Sequence, residues 1–351
     1  MGIAGFGKTL IRYDMFDIVR NAKEAKRFAK CERIYHRGQE MAWDGKEILP
    51  MLLAEHGGIQ IDDDKRKALE RVFAIIMWGE LAAWKISAQL ADRLVPLEAK
   101  MAATSQAHDE ARHFYVMHDY LTELGYVPER LDRAPQALLN LVLDTNNLAY
   151  KILGMQLMIE TIALTIFQTV RELQVEPVIS ELMKYYERDE ARHVGLGMQY
   201  LPSLMLDMNK REVSAMITFQ VRLLTWAMWE LKLLEPDFIT LGIDPRMIIE
   251  RGRKKQLAAL HEAFDAIGVA SDESRNYAAA TLNSVTELVF PTDDTKGRPI
   301  KQLSEAWSAF WKVEDRHTAD EFDQHHAHRI RTARGEEAPP EPPASAERLT
   351  A

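Results

Sequence analysis

Cysteine is almost absent from this chain of 351 residues, where Cys31 stands alone. One thiol excludes an intrachain disulfide and any four-cysteine iron site, and it favours a reducing compartment, the cytoplasm. An excess of positive charge is also missing: 44 Lys and Arg face 53 Asp and Glu, a formal net charge of -9. That balance argues against general nucleic-acid binding, and the short basic run Arg251-Gly252-Arg253-Lys254-Lys255 reads as a solvated helix face. No run of about eighteen uncharged apolar residues occurs, so no membrane span is expected. The opening stretch MGIAGFGKTLIRYDMF is broken by Lys8 and Arg12 and lacks the apolar core of a secretory signal. From Gly2 to Thr9 it spells the phosphate-loop pattern, but there is no room before Gly2 for the strand such a loop needs. A mobile terminus is expected there rather than a nucleotide site.

Alternating β-branched runs bounded by turn residues are lacking as well, whereas apolar residues recur at helical spacing through almost every long segment. The expected class is all-α, a four-helix bundle with additional N- and C-terminal helices. Core helices are expected over 66–94, after Asp62-Asp63-Asp64; over 96–124, with Pro96 in the first turn and Gly125 past the end; over 135–173; and over 177–200, between Pro177 and Pro202. Further helices are expected over 209–235, 245–267, 272–290 and 300–331. The implied organisation is an N-terminal segment (1–62) packing on the bundle, a core (63–205), accessory helices (206–333) and a Pro- and Glu-rich disordered tail (334–351).

The pentapeptide DEARH occurs twice, as Asp109–His113 and Asp189–His193. At average residue usage, a second copy of a given pentapeptide arises by chance on the order of once in 10,000 chains of this length. Within each copy Glu and His are three residues apart, one turn along the same helix face. Upstream, Glu80 lies in the apolar run FAIIMWGELAAW and Glu160 in GMQLMIETIALTIF, each thirty residues before the glutamate of a DEARH. A carboxylate in the middle of an apolar helix is costly unless it is paired, protonated or coordinated, and here two helices carry one at matching points. The pattern Glu, thirty residues, Glu-x-x-His, twice, is a ligand set for a dinuclear centre in a helical bundle: Glu80, Glu110, His113, Glu160, Glu190 and His193. Carboxylate oxygens with imidazole suit iron or manganese, so two iron ions are expected, with Mn/Fe or Mn/Mn as the variants. Metal-bound imidazoles usually donate their second N–H to a carboxylate. Pseudo-symmetry then puts Asp109 near His193 and Asp189 near His113, with Arg112 and Arg192 pairing with the two aspartates.

These residues resemble the ferritin-like di-iron carboxylate superfamily, and the doubled Asp-Glu-x-Arg-His is similar in particular to the bacterial multicomponent monooxygenase hydroxylases. Ribonucleotide reductase small subunits, acyl-carrier-protein desaturases, rubrerythrins and arylamine N-oxygenases share the six-ligand plan. The resemblance spans about residues 66–202. It implies that Glu80, Glu110, His113, Glu160, Glu190 and His193 hold the metals, and that Asp109, Arg112, Asp189 and Arg192 support them. Three departures leave the subfamily open: Met117 stands where the reductases carry a radical tyrosine, Tyr186 where the N-oxygenases carry an extra histidine, and Leu164 where the monooxygenases carry a threonine.

The implied activity is an O2-dependent oxygenase or oxidase acting on an apolar or aromatic organic substrate. Electrons would come from an external reductase or ferredoxin, because one cysteine cannot build a rubredoxin site. The alternative is iron handling, as a ferroxidase or a peroxide scavenger of the ferritin or rubrerythrin kind. Positions one turn from a ligand nominate Ile76, Trp84, Gln106, Met117, Gln156, Leu164 and Tyr186 as pocket lining. His325, His326 and His328 with Glu321 form a weaker metal candidate near the chain end. Trp226, Trp229, Trp307 and Trp311 suit a core or a subunit interface, and a homodimer is the default assembly.

Overall fold

The computed structural model describes residues 28–312 apart from 127, 207 and 266–276, with a few isolated positions before 28. The phosphate-loop look-alike at Gly2–Thr9, the His325, His326 and His328 group with Glu321, and the tail 334–351 lie outside the described residues. All regular structure among the described residues is helical. Two short helices, α1 (Ala29–Glu40) and α2 (Gly45–His56), precede the long α3 (Asp63–Arg93) and α4 (Leu97–Leu124). Then come α5 (Arg133–Asp144), α6 (Leu148–Glu172) and α7 (Pro177–Met205), followed by α8 (Lys210–Leu233), α9 (Glu235–Thr240), α10 (Pro245–Asp265), α11 (Tyr277–Val289) and α12 (Pro299–Trp311).

The termini follow local chemistry. Asp63 and Asp64 stand in the first turn of α3, where the helix dipole favours negative charge. Gly125 ends α4 with a φ of 96°, a left-handed conformation that glycine adopts without strain. At the start of α7 the Glu176 side chain accepts from the Ile179 amide, and Pro177 occupies the first turn.

Three boundaries differ from expectation. The single helix expected over 135–173 is two, because Thr145 is extended and the Asn147 side chain caps α6 by accepting from the amides of Ala149 and Tyr150. Buried Lys151 then donates to the carbonyls of Val142 and Leu143, closing the end of α5. The helix expected to stop before Pro202 runs through it to Met205, since a proline in the last turn removes only one hydrogen bond. The stretch expected over 300–331 is helical to Trp311, and Lys312 is extended.

Helices α3, α4, α6 and α7 form the bundle, with two apolar clusters in its interior. One gathers Phe73, Met77, Tyr120, Leu121, Val170 and Leu182; the other gathers Ile86, Leu90, Ala102, Met155, Leu157 and Leu201. Along the chain, α3 and α7 run from the first cluster to the second, whereas α4 and α6 run from the second to the first. Sequential partners are therefore antiparallel, and α4 reaches the parallel α6 by the long crossover that contains α5, as in ferritin-like bundles. Helix α6 is long and apolar enough to cross a membrane by length and composition, but Glu160 interrupts its apolar run and 78% of its most apolar window is buried inside the protein. Helices α1 and α2 lie against α4 and α7, while α8, α9 and α10 pack on α5, α3 and α6 respectively. Trp229 and Trp307 are 58% and 66% exposed, so neither belongs to the core.

Candidate metal centre

Midway along the bundle, between the two apolar clusters, lies a layer of buried charge. Glu80 comes from α3, Glu110 and His113 from α4, Glu160 from α6, and Glu190 and His193 from α7; all six are buried. Their donor atoms form two overlapping groups, Glu80, Glu110, His113 and Glu190 on one side and Glu110, Glu160, Glu190 and His193 on the other. Within each group the atoms lie within 4.8 Å of one another. Each group has one histidine and one lone glutamate, and both share Glu110 and Glu190, so the six residues could hold two neighbouring ions. The Nδ1 of His113 is 3.1 Å from Glu190 and 3.5 Å from Glu80, and the Nδ1 of His193 is 3.0 Å from both Glu110 and Glu190.

The donors fit a bound cation better than they fit one another. Glu110 Oε2, His113 Nδ1 and Glu190 Oε1 are buried and make no hydrogen bond among the described residues, although they converge on one point. A buried polar atom without a partner is costly, and a metal ion supplies the partner to all of them at once. Burial pushes the carboxyls of Glu80 and Glu160 well above the usual range, and repulsion from Glu190 and Glu110 adds to it. Burial acts the same way on Glu110, but the two histidines overcome it and hold that carboxyl below its ordinary value. Glu190 is likewise raised by burial and by Glu110, yet His193, a hydrogen bond with Glu160 and His113 together bring it below its ordinary value. Burial disfavours the charged forms of His113 and His193, but the surrounding carboxylates raise both well above the ordinary imidazole value.

On the far side of the histidines the remaining DEARH letters form a closed ring. Asp189 Oδ2 is 3.2 Å from the Nε2 of His113 and Asp109 Oδ2 is 3.4 Å from the Nε2 of His193, the crossed pairing that pseudo-symmetry suggests. Arg112 donates to Asp189 at 2.9 Å and also to Asp109, and Arg192 donates to Asp109 at 2.9 Å and to Asp189 at 2.6 Å. All four residues are buried, and two full charges of each sign cancel inside the ring. Trp43, in the turn between α1 and α2, donates from Nε1 to Asp189 at 2.7 Å, and the Arg112 guanidinium lies 4.8 Å from the centre of its ring. Reasoning from sequence missed Trp43. The signal available was a large aromatic in the short turn Met41-Ala42-Trp43-Asp44 between two helices, where nothing local explains it.

The lone glutamates face the opposite way. An apolar cavity of about 200 Å³ reaches Glu80 and Glu160, walled by aliphatic side chains of α3 and α6 and roofed by α8, α9 and α10. Of the seven residues nominated as pocket lining, Ile76 lies on this wall. Trp84 does not: the cavity strip of α3 runs through Ile76, Gly79, Glu80 and Ala83, which leaves Trp84 round the helix and 41% exposed. Met117 and Leu164 are buried in packing away from the cavity. Gln106 and Gln156 order the donors instead: Gln106 donates to Glu160 at 2.8 Å and to Glu110 at 3.1 Å, and accepts from Gln156 at 3.1 Å. Tyr186 stacks on His113 with ring centres 4.2 Å apart and donates to the His113 carbonyl at 2.7 Å. The wall also includes Gly79, Thr161 and Glu230, none of which periodicity singled out.

No family model matches the sequence, and no curated protein matches it. Solved structures do match in fold. A variant of an R2-like ligand-binding oxidase with an aerobically reconstituted Mn/Fe cofactor superposes with a TM-score of 0.53 at 15% identity, covering 66% of this chain and 93% of that one. A second variant of such an oxidase, with the same cofactor, gives 0.52 at 14% identity, covering 66% and 92%. With four core helices, one long crossover and a buried carboxylate and histidine layer that fits a di-metal site, this chain has the ferritin-like fold of the di-metal carboxylate proteins.

Proposed function

We propose that this chain is an O2-activating di-metal oxidase or oxygenase acting on an apolar organic molecule. Glu80, Glu110, His113, Glu160, Glu190 and His193 are its ligands. The observation that carries this reading is the junction of two donor groups sharing Glu110 and Glu190 with an apolar cavity that opens on Glu80 and Glu160. Two iron ions, or one manganese and one iron as in the structures of similar fold, would be held by these six residues and would supply the electrons and oxidising power for work on dioxygen. The residues of the chain do the rest. Asp109 and Asp189 hold the two imidazoles in one tautomer, Gln106 fixes the orientation of Glu110 and Glu160, and the aliphatic wall excludes water from the substrate side. Within this reading an external reductase or ferredoxin delivers electrons, and the protein is a cytoplasmic homodimer.

The test is to load the full-length protein anaerobically with Fe(II), or with Mn(II) and Fe(II), and then to admit oxygen with candidate apolar organics. About two ions per chain are expected, with oxygen uptake coupled to an oxidised product. Glu110→Ala and Glu190→Ala should lose the metal and keep their helical signal. Metal content near zero in the unaltered chain sinks the proposal. Ferric mineral growth or peroxide removal without organic product favours the ferroxidase or peroxide-scavenging alternative.

A further inference from the structure

One carboxylate in the cavity belongs to no part of the donor layer. Glu230, on α8, is 7% exposed and lines the same cavity as Glu80 and Glu160. Neither of its oxygens has a hydrogen-bond partner among the described residues. Burial, helped by Asp132 and Asp237 and opposed by Arg71, pushes its carboxyl from 4.5 up to about 7. Arg71 does not serve as its partner: it donates to Asp237 at 3.0 Å and lies 3.6 Å from Asp132. The other polar wall residues outside the donor layer are Thr161 on α6 and Arg253 and Gln256 on α10, and Arg253 has Glu250 one turn away on its own helix. A buried carboxylate with no protein donor is a costly feature to keep on an aliphatic wall. Its cost is offset when something entering the cavity brings the donor.

We propose that Glu230 is the recognition group for a protonated amine, so that the cavity takes a hydrophobic molecule whose ammonium nitrogen sits on Glu230 and whose hydrocarbon body runs along the wall toward Glu80 and Glu160. The aliphatic side chains of Val72, Ile75, Leu138 and Ile159 give the body its apolar contact. The carboxylate gives the head a charge-assisted hydrogen bond in a site with little water to compete. An anionic head would meet Glu230 with like charge, and a purely apolar ligand would leave it unpartnered. The cavity therefore selects by charge at Glu230 and by shape along its aliphatic wall. Anchoring through nitrogen would present carbon, not nitrogen, to the lone glutamates. This inference rests on the oxidase reading only for the claim that the bound amine is a substrate; its binding stands on the cavity alone.

The test uses the full-length chain under anaerobic conditions at about pH 8, where an alkylamine is protonated and Glu230 is largely ionised. Octylamine, 1-octanol and octanoate are titrated calorimetrically. Octylamine should bind at least about ten-fold more tightly than 1-octanol, with octanoate weakest. In Glu230→Gln the amine should lose that advantage while 1-octanol changes by less than about two-fold, since only the charge is removed. The ranking in the unaltered chain needs no variant, so the proposal is read even if Glu230→Gln folds poorly. Octylamine binding no tighter than 1-octanol, or an amine preference that survives in Glu230→Gln, overturns it. Metal content measured on the same sample separates the two readings: the expected ranking without metal overturns the oxidase and leaves the amine site, whereas metal without the ranking overturns the amine site alone.

Discussion

Glu160 and Glu230 are both carboxylates sunk among apolar side chains, and burial raises the carboxyl of each. Glu160 sits against Gln106 and the other donors, whereas Glu230 has no hydrogen-bond partner among the described residues. The raised carboxyl of Glu230 carries a definite sign. The folded chain holds this proton more tightly than the unfolded one, so the stability it contributes is full below about 4.5 and is lost as pH rises through about 7. Glu230→Gln has no proton to lose, so its melting temperature should climb relative to the unaltered protein between about pH 5 and pH 8; parallel profiles would show that the carboxylate is solvated. The ring behind the histidines makes the opposite case. Asp189 accepts from Arg112, Arg192 and Trp43 and lies against His113, so Asp189→Asn strands buried positive charge. Urea unfolding should register a loss of about 3–5 kcal/mol, and metal affinity should fall by about 10–100-fold. Trp43→Phe, which removes one N–H donor to a buried carboxylate and part of the ring beside Arg112, should cost about 1.5–3 kcal/mol.

At the scale of the helix, the decisive feature is the π-helical stretch Leu153–Ile159 inside α6, which ends one residue before Glu160. Wide turns of this kind gather at functional sites because they re-aim the side chains of the next turn. Two glycines let neighbours approach the stretch. A Cβ on Gly197 of α7 would stand 2.6 Å from the Gln156 Cβ, and one on Gly154 would stand 2.7 Å from Val142 Cγ2. Gly197→Ala should therefore cost about 1–3 kcal/mol and disturb the Gln156 to Gln106 to Glu160 chain, seen as lower metal occupancy. Gly79, also within a helix, is the control, because a Cβ there meets nothing within 4 Å. Gly79→Ala should gain about 0.5–1 kcal/mol in the same denaturation assay, the ordinary difference in helix propensity. The same contrast explains what was legible beforehand. Glu80 and Glu160 stood out because a carboxylate in an apolar helix violates the 3.6-residue pattern, and the other four donors because DEARH is repeated; the common spacing of thirty residues is visible in a string of letters. The π stretch was not visible, since nothing local marks the widened turn; the break at Thr145 to Asn147 is marked by the capping run Asp144-Thr145-Asn146-Asn147, which the continuous apolar periodicity on either side hides. Trp43 and Glu230 reach their places through long-range packing of the first and eighth helices' neighbourhoods, which periodicity within one helix does not encode.

For the whole molecule, a dinuclear centre in this layer ties metal binding to protons and to folding. Glu80 and Glu160 are raised by burial and repulsion, and His113 and His193 by the carboxylates around them, whereas ligation requires all four without their protons. Loading the protein with metal in weak buffer near about pH 7 should release protons, up to one from each of these four side chains, and a chelator should take the same number back. Loading that leaves the pH unchanged would place the ions elsewhere. Bound metal should also raise the melting temperature in proportion to the logarithm of free metal. The donor layer and the cavity roof come from separate stretches of chain, the one from α3, α4, α6 and α7, the other from α8, α9 and α10. Mutations can therefore explore new ligands along one stretch while the other keeps its chemistry unchanged, so the range of molecules accepted can drift in evolution independently of what is done to them.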